Sequence, residues 1–111
     1  MKTKEEINNM VKEMVMAICH GGFGRLQAML GAKAEKITDN SFQFSFKMFR
    51  KANLFKIELD EGRDLYNCYF IKGLSFEDAK FQPVTVKEVK GIFADQVQEF
   101  FETTTGLRTC L

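Results

Sequence analysis

Ser41-Phe42-Gln43-Phe44-Ser45-Phe46-Lys47-Met48 decides the fold of this chain. Apolar and polar side chains alternate at every step, and successive side chains of a strand point to opposite faces. The stretch therefore reads as a half-buried strand with a benzyl-rich face and a wet face. Asp39-Asn40 before it signals a turn, closing a hairpin from a short strand at 36–38. After a turn at 50–53, a second alternating run puts Phe55, Ile57 and Leu59 inward, with Lys56, Glu58 and Asp60 outward. A third puts Tyr66, Cys68 and Phe70 on one face and Leu65, Asn67, Tyr69 and Ile71 on the other. The linking turns are too short for a crossover, so the strands pair antiparallel. Asp60-Glu61-Gly62-Arg63 is one such turn, with Gly62 expected at positive φ.

The flanks read as helices. Ile7, Met10, Val11, Met14, Val15 and Ile18 draw one stripe at helical spacing, and Thr3 with Glu6 fits a capping box at its start. Gly21-Gly22 stops that helix, and a short helical piece over 23–30 ends at Gly31. Beyond the third strand comes a longer loop over 72–82 with one helical turn after Ser75. Pro83 opens a last strand, in which Val84 and Val86 alternate with Thr85 and Lys87. A final helix is expected to begin near Gly91, carry an apolar stripe of Ile92, Phe93, Val97, Phe100 and Phe101, and stop before Gly106. The fold class is α+β: an antiparallel meander of three to five strands, with the N-terminal and C-terminal helices packed on its Phe-rich face. Residues 1–111 form one domain by size.

Composition narrows the function. The chain has 111 residues, 12 Phe and no Trp, so phenylalanine dominates the core. With 16 basic and 15 acidic side chains the formal net charge is +1, which lacks the basic excess of most nucleic-acid binders. No apolar run is long enough to span a membrane. The opening Met1-Lys2-Thr3-Lys4-Glu5-Glu6 leads into an amphipathic helix rather than a secretory signal. Cys19, Cys68 and Cys110 are widely spaced, which argues against zinc and for three reduced thiols in a cytoplasmic protein.

Catalytic patterns are weak. His20 is the one histidine, and its neighbour Cys19 points about 100° away on a helix. Gly21-Gly22-Phe23-Gly24 follows a helix, not a strand, and lacks the lysine of a phosphate loop. Glu58, Asp60, Glu61 and Asp64 crowd one hairpin without calcium-loop spacing. The expectation is a protein that is not an enzyme and uses no cofactor or metal.

Other residues carry a resemblance. Met29-Leu30-Gly31-Ala32-Lys33, the Phe-rich strand, Asp64-Leu65-Tyr66, Ala94-Asp95 on a helix, and Thr105-Gly106-Leu107-Arg108-Thr109-Cys110-Leu111 occur in that order. The set resembles small proteins of unassigned function carried by bacteriophages and integrative mobile elements. Phe93 stands where that pattern expects Tyr, and Arg108 where it commonly has an aromatic. The resemblance implies a protein of a phage or mobile element; together with the lack of a catalytic constellation and the cytoplasmic reading of the cysteines, the expectation is a small cytoplasmic interaction protein. Its partner would be a host or phage protein, and its action inhibition of a host defence system.

The residues expected to meet a partner are Lys47, Arg50, Lys51, Lys56, Asp64, Tyr69 and Arg108. The basic members gather around the first hairpin beside Phe49, and Tyr69 would add a stacking platform. The alternative is therefore a binder of single-stranded nucleic acid used in phage replication or its control. A homodimer through a sheet edge, or through Leu65 and Ile71, is also open.

Overall fold

The computed structural model describes residues 3–19, 22–47, 49, 51–72 and 84–107. Helix α1 (Lys4–Ile18) and the short α2 (Phe23–Leu30) lead into strands β1 (Lys33–Ile37), β2 (Ser41–Ser45), β3 (Leu54–Asp60), β4 (Leu65–Lys72) and β5 (Val84–Ile92). Helix α3 (Ala94–Thr105) follows. The strands form one antiparallel sheet in chain order. This is the α+β meander expected, with five strands.

Alternation places the core. Phe42, Phe44, Phe55, Ile57, Cys68 and Phe70 all point to one face and are buried, as is Phe46 just beyond the β2 ladder. The helices cover that face with Met14, Ile18, Leu26, Leu30, Val97 and Phe101. Phe101 of α3 sits in a socket of sheet rings: Phe55 at 4.9 Å between centroids, Phe46 at 5.1 Å, Phe70 at 5.3 Å and Phe44 at 6.4 Å. Phe23 of α2 meets Phe42 and Phe44 edge-on at 5.8 and 6.2 Å. Edge-to-face and tilted pairs suit the aromatic quadrupole and add to area burial.

Helix ends follow local chemistry. Thr3 Oγ1 accepts from the Glu6 amide and donates to its carboxylate, each at 3.2 Å. Gly31 (φ 64) and Gly106 (φ 73) close α2 and α3 in the left-handed conformation. α1 instead ends with Cys19 in extended geometry, and Gly22 (φ 85) caps the start of α2. Thr105 Oγ1 donates to Phe101 O and accepts from the Leu107 amide, so the start of the tail is part of the helix cap.

Several expectations are corrected. β1 begins at Lys33, earlier than the short strand at 36–38. Its Lys33-Ala34-Glu35-Lys36-Ile37 has no alternation to read; the ladder to β2 holds it, with an irregularity between Ala34 and Lys36. The β2 ladder ends at Ser45, because the Lys47 amide turns away to Leu30 O at 2.8 Å; Met48 lies outside the described residues. In the β3–β4 turn the left-handed residue is Asp64 (φ 55), not Gly62. Aspartate tolerates that region better than most residues.

β5 runs through Gly91 and Ile92, which were expected in the final helix. Gly91 (φ 72) donates its amide to Asn67 Oδ1 at 3.0 Å, holding the irregular end of β5 against β4. α3 then starts at Ala94, where Gln96 Oε1 accepts from the Phe93 amide at 2.9 Å. Phe93 leaves the expected stripe and is 61% exposed. In β5 a register shift puts Lys87 opposite Phe70, on the helix side, and leaves Val86 exposed.

Cys19 is disulfide-bonded, which corrects the expectation of three reduced thiols. Cys68 is free and buried, and Cys110 lies outside the described residues. The loop over 73–83 lies outside them as well. Among the described residues no helix is long and apolar enough to cross a membrane.

Two substitutions test this packing. Phe101→Ala should lower unfolding free energy by about 3–5 kcal/mol in urea titrations, while exposed Phe93→Ala should change it by less than about 0.5 kcal/mol. Asp64→Gly should be neutral or stabilising and Asp64→Val destabilising by about 1–2 kcal/mol, because only the second adds steric conflict at φ 55.

Candidate protein-binding surface

The sheet face away from the helices carries much of what the sequence singled out. Cross-strand register lines up Lys36, Gln43, Lys56, Tyr69 and Glu88 in one row across the sheet. Glu58 organises its middle. It accepts from Asn67 Nδ2 at 3.2 Å and from the Tyr69 hydroxyl at 3.3 Å, and lies 3.9 Å from Lys56 Nζ. The Lys56 ammonium also sits 5.6 Å from the centre of the Tyr69 ring. Partial burial, and then Glu58, raise the Tyr69 pKa. The ring proposed as a stacking platform thus already meets a cation, and its hydroxyl is held by a carboxylate.

The remaining candidates do not join that pair. The stem of Lys47 packs toward Gly31 at the end of α2: a Cβ on that glycine would lie 3.0 Å from Lys47 Cδ. Lys51 is exposed in the β2–β3 loop. Asp64 lies in the β3–β4 turn at the opposite end of β3, about 20 Å away along the strand. Arg50 and Arg108 lie outside the described residues. Leu65 and Ile71 face the same side but sit at the two ends of β4, so they do not make one apolar patch.

The helix layer holds a surface that the sequence reading missed. α1 presents Glu13, Met16 and Ala17 on one side, at the three- and four-residue spacing that shares a helix face. α3 presents Ala94, Asp95 and Gln98 opposite, and Tyr66 of β4 completes the lining. Together they bound a groove of about 480 Å³. Met16, 45% exposed, also borders a smaller, mainly apolar hollow of about 250 Å³ formed with Val11, Lys12, Val15, Gly22 and Phe23. Phe93, the most exposed large apolar side chain among the described residues, adjoins Ala94 of the groove wall. Phe93 was expected to join the α3 stripe. The available signal was that Met16 stands off the stripe, among polar positions.

Burial raises the Tyr66 pKa first, followed by the charges of Glu13 and Asp64. Asp64 itself lies in the β3–β4 turn and is not part of the groove lining among the described residues. A second hollow, of about 560 Å³, is lined by Asp39, Asn40, Glu58, Leu59, Asp60, Glu61 and Asn67. Among the described residues no cluster of His, Cys, Asp or Glu could hold a metal ion. Burial pushes the Cys68 thiol up to about 12, so it is a packed side chain and not a nucleophile at neutral pH.

Comparison with protein-family models, curated proteins and solved structures finds no match to this chain.

The Cys68 shift gives a pH dependence. The folded state keeps that proton to about 12, whereas the unfolded chain releases it near 9. The contribution of Cys68 to stability is therefore fully present below pH 9 and is lost as pH rises from there toward 12. Cys68→Ala should flatten part of that decline in urea titrations across the window. Native Cys68 should also resist iodoacetamide at pH 8 and react only after denaturation, as read by peptide mass mapping.

Proposed function

We propose that this chain is a non-enzymatic interaction protein of a phage or mobile element, acting by binding a host or phage protein. A component of a host defence system is the target class we favour, blocked by occlusion. The observation that carries the reading is the exposed pair Met16 and Phe93 beside the groove between α1 and α3. Large apolar side chains next to a concave surface favour contact with another protein, because burying them there removes apolar area from water. The sequence resemblance supplies the biological setting. The host cytoplasm as the place of action rests on that resemblance alone, since the disulfide at Cys19 removes the argument from reduced thiols.

Nucleic-acid binding is the weaker reading. It needs a free aromatic face and clustered cations, whereas Lys56 and Glu58 engage Tyr69, and Lys47 packs toward α2. Pairing through the sheet edges is the less favoured reading. β1 exposes Lys33, Glu35 and Lys36 beside Ile37, and β5 exposes Lys87, Glu88 and Lys90 beside Val86, and the charges blunt edge-to-edge contact.

A photo-crosslinker separates these readings. With benzoyl-phenylalanine at position 93, cells carrying the source phage or element should yield one dominant protein adduct. A second substitution, Met16→Glu, should abolish it without changing the thermal melt. Equal capture by both forms, or adducts formed only with nucleic acid, would overturn the proposal.

A further inference from the structure

The groove between α1 and α3 is not neutral. Glu13 stands on one wall and Asp95 on the other, with Tyr66 also in the lining. Neither Glu13 nor Asp95 has an ion-pair partner among the described residues. Among the described residues no Lys or Arg belongs to the lining. Arg63 of the neighbouring turn has its guanidinium beside Gly91, where a Cβ would lie 3.8 Å from Nη2. The rest of the described lining is Met16, Ala17, Ala94 and the ring of Tyr66, with Gln98 as a neutral polar side chain on the α3 wall.

We infer that this groove takes a cationic side chain, arginine or lysine, from a protein segment with apolar residues beside it. The inference rests on the protein-binding reading above and adds the chemistry of the occupant. Long basic side chains bury an aliphatic stem on apolar surface and keep the charged head with polar groups. Here the stem lies against Met16 and Ala17, and the head meets Glu13 and Asp95 from the two walls. The apolar neighbours occupy the hollow beyond Met16 and the exposed ring of Phe93. An acidic segment is disfavoured, since it would bring like charge against unpaired carboxylates.

The test uses three capped tripeptides as probes, Leu-Arg-Leu, Leu-Gln-Leu and Leu-Glu-Leu, titrated to about 10 mM into protein with labelled methionine methyls and tyrosine rings. The arginine peptide should move the Met16 methyl and Tyr66 ring signals saturably. Its binding should weaken about fivefold or more in the Glu13→Gln/Asp95→Asn double variant, and also when salt rises from about 50 to about 500 mM. The glutamate peptide should leave both signals in place. Both carboxylates are exposed, so the double variant should keep its melt, and a fold check by circular dichroism accompanies each titration.

If the glutamine peptide binds as tightly as the arginine peptide, and the double variant is unaffected, the cation inference is overturned while protein binding at this groove survives. If the arginine peptide moves neither Met16 nor Tyr66, the inference is likewise overturned. The crosslink from position 93 then decides the broader reading separately.

Discussion

One aromatic socket holds the two layers together. Phe101 enters from α3 and lies against Phe44, Phe46, Phe55 and Phe70, rings drawn from β2, its continuation, β3 and β4. A single side chain thereby fixes where α3 sits over three consecutive parts of the meander. α1 packs beside α3, so its position over the sheet depends on that seat as well. The groove between the helices inherits its width from the same constraint. If α3 moved, Ala94 and Asp95 would no longer face Met16 and Ala17 across Tyr66.

The two faces of the sheet have different physics. Toward the helices, benzyl groups and aliphatic side chains exclude water and supply the main driving force for folding. Away from them, Lys56, Glu58, Asn67 and Tyr69 satisfy one another. Asn67 also reaches the Gly91 amide, so this polar group ties β3, β4 and the end of β5 together. What first reads as a row of binding residues is to this extent a structural network. Exposed large apolar side chains occur in both layers, Ile37 and Val86 on the outer strands and Met16 and Phe93 beside the groove between α1 and α3.

Much of the fold was legible because it rests on short-range patterns. Phe42, Phe44 and Phe46 announce an inward face through strict alternation, and they are buried as that pattern requires. Thr3, Gly31 and Gly106 signal helix ends through chemistry confined to one turn. The candidate site was far less legible. Lys47 and Lys56 are near in sequence, yet one packs toward the α2 terminus and the other over Tyr69. Phe93 fits a helical stripe by spacing, but the strand before it continues through Ile92 and turns the ring to solvent.

The sequence by itself determined the α+β class, the antiparallel order, the inward residues of β2, β3 and β4, and most helix ends. Periods of 2 and 3.6 residues are properties of the local backbone, so they are written into neighbouring side chains. Only the tertiary structure decided the register of β5, the left-handed Asp64, the point where strand becomes helix before Ala94, and the acidic, apolar groove between α1 and α3. Each depends on pairing or packing between segments distant in the chain. Such contacts are settled by geometry in three dimensions, and no stretch of sequence states them alone.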